Sequence, residues 1–204
     1  APPISLSEAL LKTASKAAKL LFEKSMYSSA GTVEMLLYGE HLYFLEVNTR
    51  LQVEHTVTEE SIRVSDDQGM AKLDILAEML NIASGEKLSF SEDDIKSHGY
   101  SIEARIYAED PEEGFVPTPG RVCFVRFPEG EGIRVDTAFV GPEVMVSKYF
   151  DPMLAKVVAS GKTREEAIGR LIDSLGRTVI LGIKTNIDFL RRIASHPDFS
   201  KGAY

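Results

Sequence analysis

The densest set of groups able to do chemistry lies in Glu46-Val47-Asn48-Thr49-Arg50-Leu51-Gln52-Val53-Glu54. In an extended chain, alternate side chains go to opposite faces. Glu46, Asn48, Arg50, Gln52 and Glu54 then share one face, and Val47, Thr49, Leu51 and Val53 the other. Such alternation also marks an ordinary half-exposed strand, but this polar face uses no Lys or Ser. Upstream, Val33 to Leu37 alternates and Leu42 to Val47 is rich in strand formers, so Gly39-Glu40-His41 reads as a hairpin loop. Tyr38 then pairs with Leu42, and the same register sets Glu34 opposite Glu46. Facing carboxylates repel at a Cβ separation of ~4.5–5.5 Å, so the pair is expected to hold a cation between them. With Asn48 alongside, the donors are all oxygen, a set for Mg²⁺ or Mn²⁺ rather than zinc. Arg50 and Gln52 offer a planar fork and an amide to a small oxyanion, and Glu54 a general base. Together they describe phosphoryl transfer to a small acid beside a metal-bound phosphate.

These groups need elements to hold them. An amphipathic helix is expected over 5–25, with Ser5 and Glu8 at capping-box spacing and Leu10, Ala14, Ala17 and Leu21 toward a core. After the 31–48 hairpin, Thr56 and Glu59 have the spacing to cap a short helix. Residues 65–69 are a polar break, and a second helix covers 70–84 with Leu73, Leu76, Ala77 and Leu80 inward, ending at Gly85. Residues 86–98 read as a surface connection and a domain boundary, giving domains 1–98 and 99–204. The second begins with strands over 99–108, 121–127, 133–139 and 153–160. Thr163 and Glu166 then open a helix with Ile168, Leu171, Leu175 and Val179 inward, and a last helix covers 185–195. Strands and helices in separate runs give an α+β fold.

The composition excludes several classes. The 204 residues carry a net charge of -8, which argues against a nucleic-acid partner. Cys123 is the one cysteine, so there is no disulfide framework or thiolate metal cluster. No apolar run approaches the ~20 residues of a membrane span. His41, His55, His98 and His196 form no metal spacing. Gly161-Lys162-Thr163 is no phosphate loop, because Lys156 stands where that motif needs Gly. Gly161 reads as a turn and Thr163 as a helix cap.

Glu46 to His55, followed by Val57-Thr58-Glu59, resembles the biotin carboxylases of the ATP-grasp superfamily. So do Glu103 to Pro111, Pro117-Thr118-Pro119-Gly120, Tyr149 to Lys156 and Gly182-Ile183-Lys184-Thr185-Asn186, in the family's order. The resemblance implies the end of an ATP-grasp domain followed by the biotin carboxylase C-terminal domain. It implies ATP- and bicarbonate-dependent carboxylation of biotin through carboxyphosphate. Glu34 and Glu46 match the ATP- and metal-bridging carboxylates, and Asn48 the amide metal ligand. Arg50, Gln52 and the Val53 backbone match the bicarbonate site, with Arg50 and Glu54 catalytic and Glu54 the base. Arg105 matches the residue that binds biotin and steadies its enolate-like oxygen, although Glu103 on the same face also suits a plain surface ion pair. Arg134 matches a position near a homodimer contact. The Lys148–Lys156 region is expected to shape the fold rather than react. The implied partners are a biotin carboxyl carrier protein and a carboxyltransferase, in the cytoplasm or, in a eukaryote, the mitochondrial matrix.

The chain departs from the family at Thr56, where Pro is usual, and by a few extra residues near 65–69. The family's glycine-rich lid and ATP-binding lysines are not found in it. The chain therefore reads as a C-terminal portion expected to lack turnover alone. Two other readings stand beside this one: another ATP-grasp carboxylate ligase, and a non-catalytic assembly module that keeps the fold.

Overall fold

The computed structural model describes residues 1–3, 6–66, 69–139, 141 and 144–203. The chain divides into two compact units, Pro2–Ser97 and His98–Tyr204, the second including Ala1. The architecture is α+β.

The first unit opens with α1 (Glu8–Ser25). Ser5 lies outside the described residues; Ser7 occupies the N-cap and accepts from the Leu10 N–H at 3.3 Å. No residue of α1 is buried, against the expected core face. The half-buried line runs Leu10, Ala14, Ala18, Phe22, while Ala17 and Leu21 are exposed. β1 (Thr32–Tyr38) and β2 (His41–Asn48) form a two-stranded antiparallel sheet. The connection is Gly39-Glu40, one residue shorter than expected, so Tyr38 pairs with His41 rather than Leu42. Gly39 has φ +61, and a glycine in that conformation at the first loop position fits a type II′ hairpin turn. Leu45 is then taken up in a bulge: Met35 pairs with Phe44, and the next pair is Glu34 with Glu46.

α2 (His55–Ser61) follows, with Glu54 rather than Thr56 at the N-cap position; Thr56 is buried inside the helix. Of the expected break at 65–69, Ser65 and Asp66 end β3 (Ile62–Asp66) and Gly69 begins β4 (Gly69–Ala71), and the two strands pair antiparallel. Asp67 and Gln68 lie outside the described residues. α3 (Ile75–Ala83) starts five residues later than expected because β4 takes 69–71 and Asp74 is the N-cap, accepting from the Ala77 N–H at 2.9 Å. Leu73 precedes the helix, and Leu76 and Leu80 are exposed rather than core. The expected surface connection contains β5 (Ile95–Ser97), which pairs with β3. Among the described residues of this unit, Val64 is the one buried apolar side chain.

The second unit has a continuous core. β6 (Tyr100–Tyr107) starts it, followed by the short strands β7 (Glu109–Asp110), β8 (Val116–Pro117), β9 (Gly120–Val122) and β10 (Phe124–Arg126). Cys123 divides the expected 121–127 strand, since β9 pairs with β12 (Val144–Val146) and β10 with β14 (Val179–Leu181). β11 (Ile133–Thr137) and β13 (Met153–Gly161) form an antiparallel sheet in the order β11-β13-β6. Ile102, Ala104 and Ile106 alternate along β6, and Ala155, Val157 and Ala159 along β13. They meet Ala167, Ile168, Leu171 and Leu175 of α4 (Arg164–Arg177). Thr163 caps α4, accepting from the Glu166 N–H at 3.2 Å. The helix ends at Arg177, so Val179 opens β14 instead of extending the helical face. α5 (Ile187–Ala194) and a short α6 (Pro197–Lys201) complete the unit.

Candidate active site

The hairpin brings Glu34 and Glu46 face to face, and Asn48 lies between them. The Asn48 Nδ2 donates to Glu34 Oε1 at 2.7 Å and to Glu46 Oε1 at 3.2 Å. Gln52 Nε2 donates to the same Glu34 oxygen at 3.2 Å. Two amides thus offset the repulsion that directly opposed carboxylates would suffer. The donor set suits a hard cation, since a half-turn of the Asn48 amide would present Oδ1 beside the two carboxylates. Among the described residues, no group of three or more His, Cys, Asp and Glu could hold a metal ion.

The rest of the expected polar row is not an extended strand. β2 stops at Asn48, and Val53 and Glu54 form a turn that enters α2. The turn is tied locally: the Gln52 carbonyl accepts from the His55 N–H at 3.2 Å and lies 2.8 Å from His55 Nδ1. Arg50 is exposed and its Nη1 donates to the Leu51 carbonyl at 3.2 Å. Glu54 is exposed at the start of α2. Glu34, Glu46, Asn48 and Gln52 are therefore joined directly, and Arg50, Val53 and Glu54 follow on irregular chain. Just beyond, Glu59 accepts from the Ile75 N–H at 2.8 Å and Glu60 takes the Lys72 ammonium at 3.0 Å. Both fix the chain that leads into α3.

Arg105 belongs to the second unit. Its Nε donates to Glu103 Oε1 at 2.8 Å; the Glu103 side chain is 6% exposed and that of Arg105 36%. The two lie on the polar face of β6, opposite the face packed under α4. Across the sheet, Lys156 pairs with Arg105 in register and Asp136 pairs with Lys156. The Lys156 ammonium lies 3.3 Å from Asp136 Oδ2, and Arg134 grips the same carboxylate with Nε at 2.8 Å and Nη2 at 3.1 Å. Burial pushes the Asp136 carboxyl up, but Arg134 and then Lys156 outweigh it and hold it below the usual carboxylate value. Asp136 has one sequence signal, the alternation Arg134-Val135-Asp136, which places opposite charges on one strand face.

A family model described as the biotin carboxylase C-terminal domain matches residues 103–204. A second, the carbamoyl-phosphate synthase L chain ATP-binding domain, matches residues 1–91. A biotin carboxylase of Halalkalibacterium halodurans is 44% identical over 198 residues, 97% of this chain and 40% of that protein. The alpha chain of mitochondrial propionyl-CoA carboxylase of Homo sapiens is 39% identical over 205 residues, 99% of this chain and 27% of that one. The solved biotin carboxylase domain of a thermophilic 2-oxoglutarate carboxylase bound to bicarbonate superposes with a TM-score of 0.92 at 36% identity. The match covers 100% of this chain and 44% of that one. The chain spans 40% or less of the length of these curated relatives.

Proposed function

This chain belongs to the biotin carboxylase family, and from that membership we propose that it contributes to ATP- and bicarbonate-dependent carboxylation of biotin. Residues 1–98 are then the end of an ATP-grasp domain and 99–204 the C-terminal domain. The observation that carries the reading is the pair Glu34 and Glu46 facing each other with the Asn48 amide between them. Glu34, Glu46 and Asn48 would hold Mg²⁺ or Mn²⁺, which when bound offsets the charge of the ATP phosphates.

The chain's own groups have distinct tasks. Arg50, Gln52 and the Val53 backbone hold bicarbonate. Glu54 takes its proton, and the freed oxygen attacks the γ-phosphorus; ADP leaves and carboxyphosphate forms. Carboxyphosphate releases CO₂ and phosphate. The ureido nitrogen of biotin gives up its proton to the phosphate and bonds to CO₂, while Arg105 stabilises the ureido oxygen as it gains negative charge. Arg105 leaves its ion pair with Glu103 only in part, since the guanidinium has five N–H donors. The biotin comes on a carrier protein, a carboxyltransferase uses the product, and Arg134 lies near the contact of a homodimer. The setting is the cytoplasm or the mitochondrial matrix; no helix among the described residues is long and apolar enough to cross a membrane.

The match of residues 1–91 to a carbamoyl-phosphate synthase model favours one second reading, an ATP-grasp ligase acting on a different acceptor. ADP release by the full-length polypeptide, measured with bicarbonate and with or without free biotin, separates the two. Biotin-stimulated turnover with labelled carboxybiotin as product is expected. Turnover indifferent to biotin, with no carboxybiotin, would favour the second reading.

A further inference from the structure

Arg105 is positioned by its strand, and that strand is a sheet edge. β6 pairs with β13 on one side, as the outer strand of β11-β13-β6. Even this pairing shifts register between Met153 and Ala155, opposite Tyr107 and Ile106. A slip of one residue in a strand exchanges its two faces. Here it would turn Arg105 into the core under α4 and expose Ile106. The free edge of a strand is where such slippage is least opposed.

Ala1 exchanges backbone hydrogen bonds with Ser101 near the start of this edge, and at Arg105 and Tyr107 the structure closes it with one residue. Asn186 Nδ2 donates to the Arg105 carbonyl at 3.1 Å, and its Oδ1 accepts from the Tyr107 N–H at 2.9 Å. Its backbone N–H donates to the Tyr107 carbonyl at 3.3 Å. The amide supplies the donor and acceptor that a neighbouring strand would. Asn186 is 6% exposed, so water competes little for these bonds. Its position makes the arrangement more telling. Asn186 is the N-cap residue of α5, and Asn is among the best N-capping side chains, yet it makes no capping bond to the helix. Both ends of its amide are engaged by the strand that carries Arg105.

The loop bearing Asn186 is itself fixed. Lys184 is ion-paired with Asp110, and the Thr118 hydroxyl donates to the Lys184 carbonyl at 2.7 Å. We propose that Asn186 is a positioning residue for Arg105, holding β6 in the register that aims the guanidinium at the ureido oxygen of biotin. This rests on the reading of Arg105 as the group that meets biotin.

The test uses the full-length polypeptide with free biotin. Asn186→Ala is expected to lower kcat for biotin carboxylation at least tenfold, with KM for ATP and for bicarbonate within twofold of the unsubstituted protein. The Tyr107 amide should exchange its hydrogen faster. Added to Arg105→Gln, the same change should cost nothing further, because it acts through Arg105. If Asn186→Ala does not fold, Asn186→Asp carries the same test, since it keeps the acceptor for Tyr107 and loses the donor to Arg105. Unchanged kcat, or losses that multiply in the double variant, overturn the role of Asn186 and leave that of Arg105 standing. Full carboxylation by Arg105→Gln alone overturns the reading of Arg105 and this inference with it.

Discussion

At Glu34 and Glu46 stability and binding pull in opposite directions. Two carboxylates in direct register are unfavourable, and the Asn48 and Gln52 amides offset that only in part. Glu46→Gln removes one charge and leaves an oxygen to accept from Asn48. Without metal, this variant should be more stable by about 0.2–1 kcal/mol, the scale of a cross-strand pair, and thermal melting in chelator will show it. The same substitution should weaken Mn²⁺ binding by calorimetry at least tenfold. A variant that loses stability and keeps its Mn²⁺ affinity would remove the case for a cation site. Glu54 is different, because it is exposed at the start of a helix. If it is the base for bicarbonate, Glu54→Gln should lower bicarbonate-dependent ATP cleavage by about 10²–10⁴-fold with little change in melting temperature. An equal loss with and without bicarbonate would argue against that role.

Two glycine-containing turns differ in what they demand, and the difference can be measured by urea unfolding. Gly39 has φ +61 and open space where a Cβ would stand. Gly39→Ala should therefore cost only the backbone term, about 1–2 kcal/mol. Gly182, ahead of the Asn186 loop, has φ +109, and a Cβ there would lie 2.3 Å from the Arg121 carbonyl oxygen. Gly182→Ala must move backbone, so a loss of more than about 3 kcal/mol is expected. The same hairpin shows how far elements can be read from sequence. Alternation identified β1 and β2, and the register at Glu34 and Glu46 came out as expected although the loop was one residue too long. The bulge at Leu45 adds back the residue that the tighter turn removes, and nothing in Phe44-Leu45-Glu46 marks it. Past Asn48 the alternation continues on chain that is not a strand, because polar residues on a turn can keep the period of a strand by chance. The apolar spacing of α1 and α3 identified helices but not burial, since spacing says which residues share a face and not what covers it. β5 was hidden by composition: Glu92-Asp93-Asp94 and Lys96 read as loop, and pairing with β3 overrides that. Asn186 looked like part of a motif, but its bonds to Arg105 and Tyr107 span about 80 residues and no local pattern could indicate them.

At the scale of the whole molecule, acid is the condition that both units share. Asp94 in the first unit is held below its usual value by the Ser91 backbone N–H and then the Ser91 hydroxyl, against burial. In the second, Asp110 is lowered mainly by its bond to Lys184, and Asp136 by Arg134 and Lys156 in spite of burial. A carboxyl depressed in the folded state adds stability above its unfolded value, about 3.9 for Asp. That stability is lost as the pH falls from there through the folded value. Melting temperature should accordingly stay nearly level, as far as these groups decide it, from pH 7 to about 5, and drop below about 4. Asp136→Asn isolates one contribution. At pH 7 it leaves Arg134 and Lys156 with less counter-charge across β11 and β13, so the variant should melt lower than the unsubstituted protein. As the pH falls, the native Asp136 becomes protonated and neutral, like the amide that replaces it. The two melting curves should therefore converge below about pH 4. A gap that stayed constant from pH 7 to 2.5 would assign the effect of Asp136 to packing and remove the ion pairs with Arg134 and Lys156 from the account of stability.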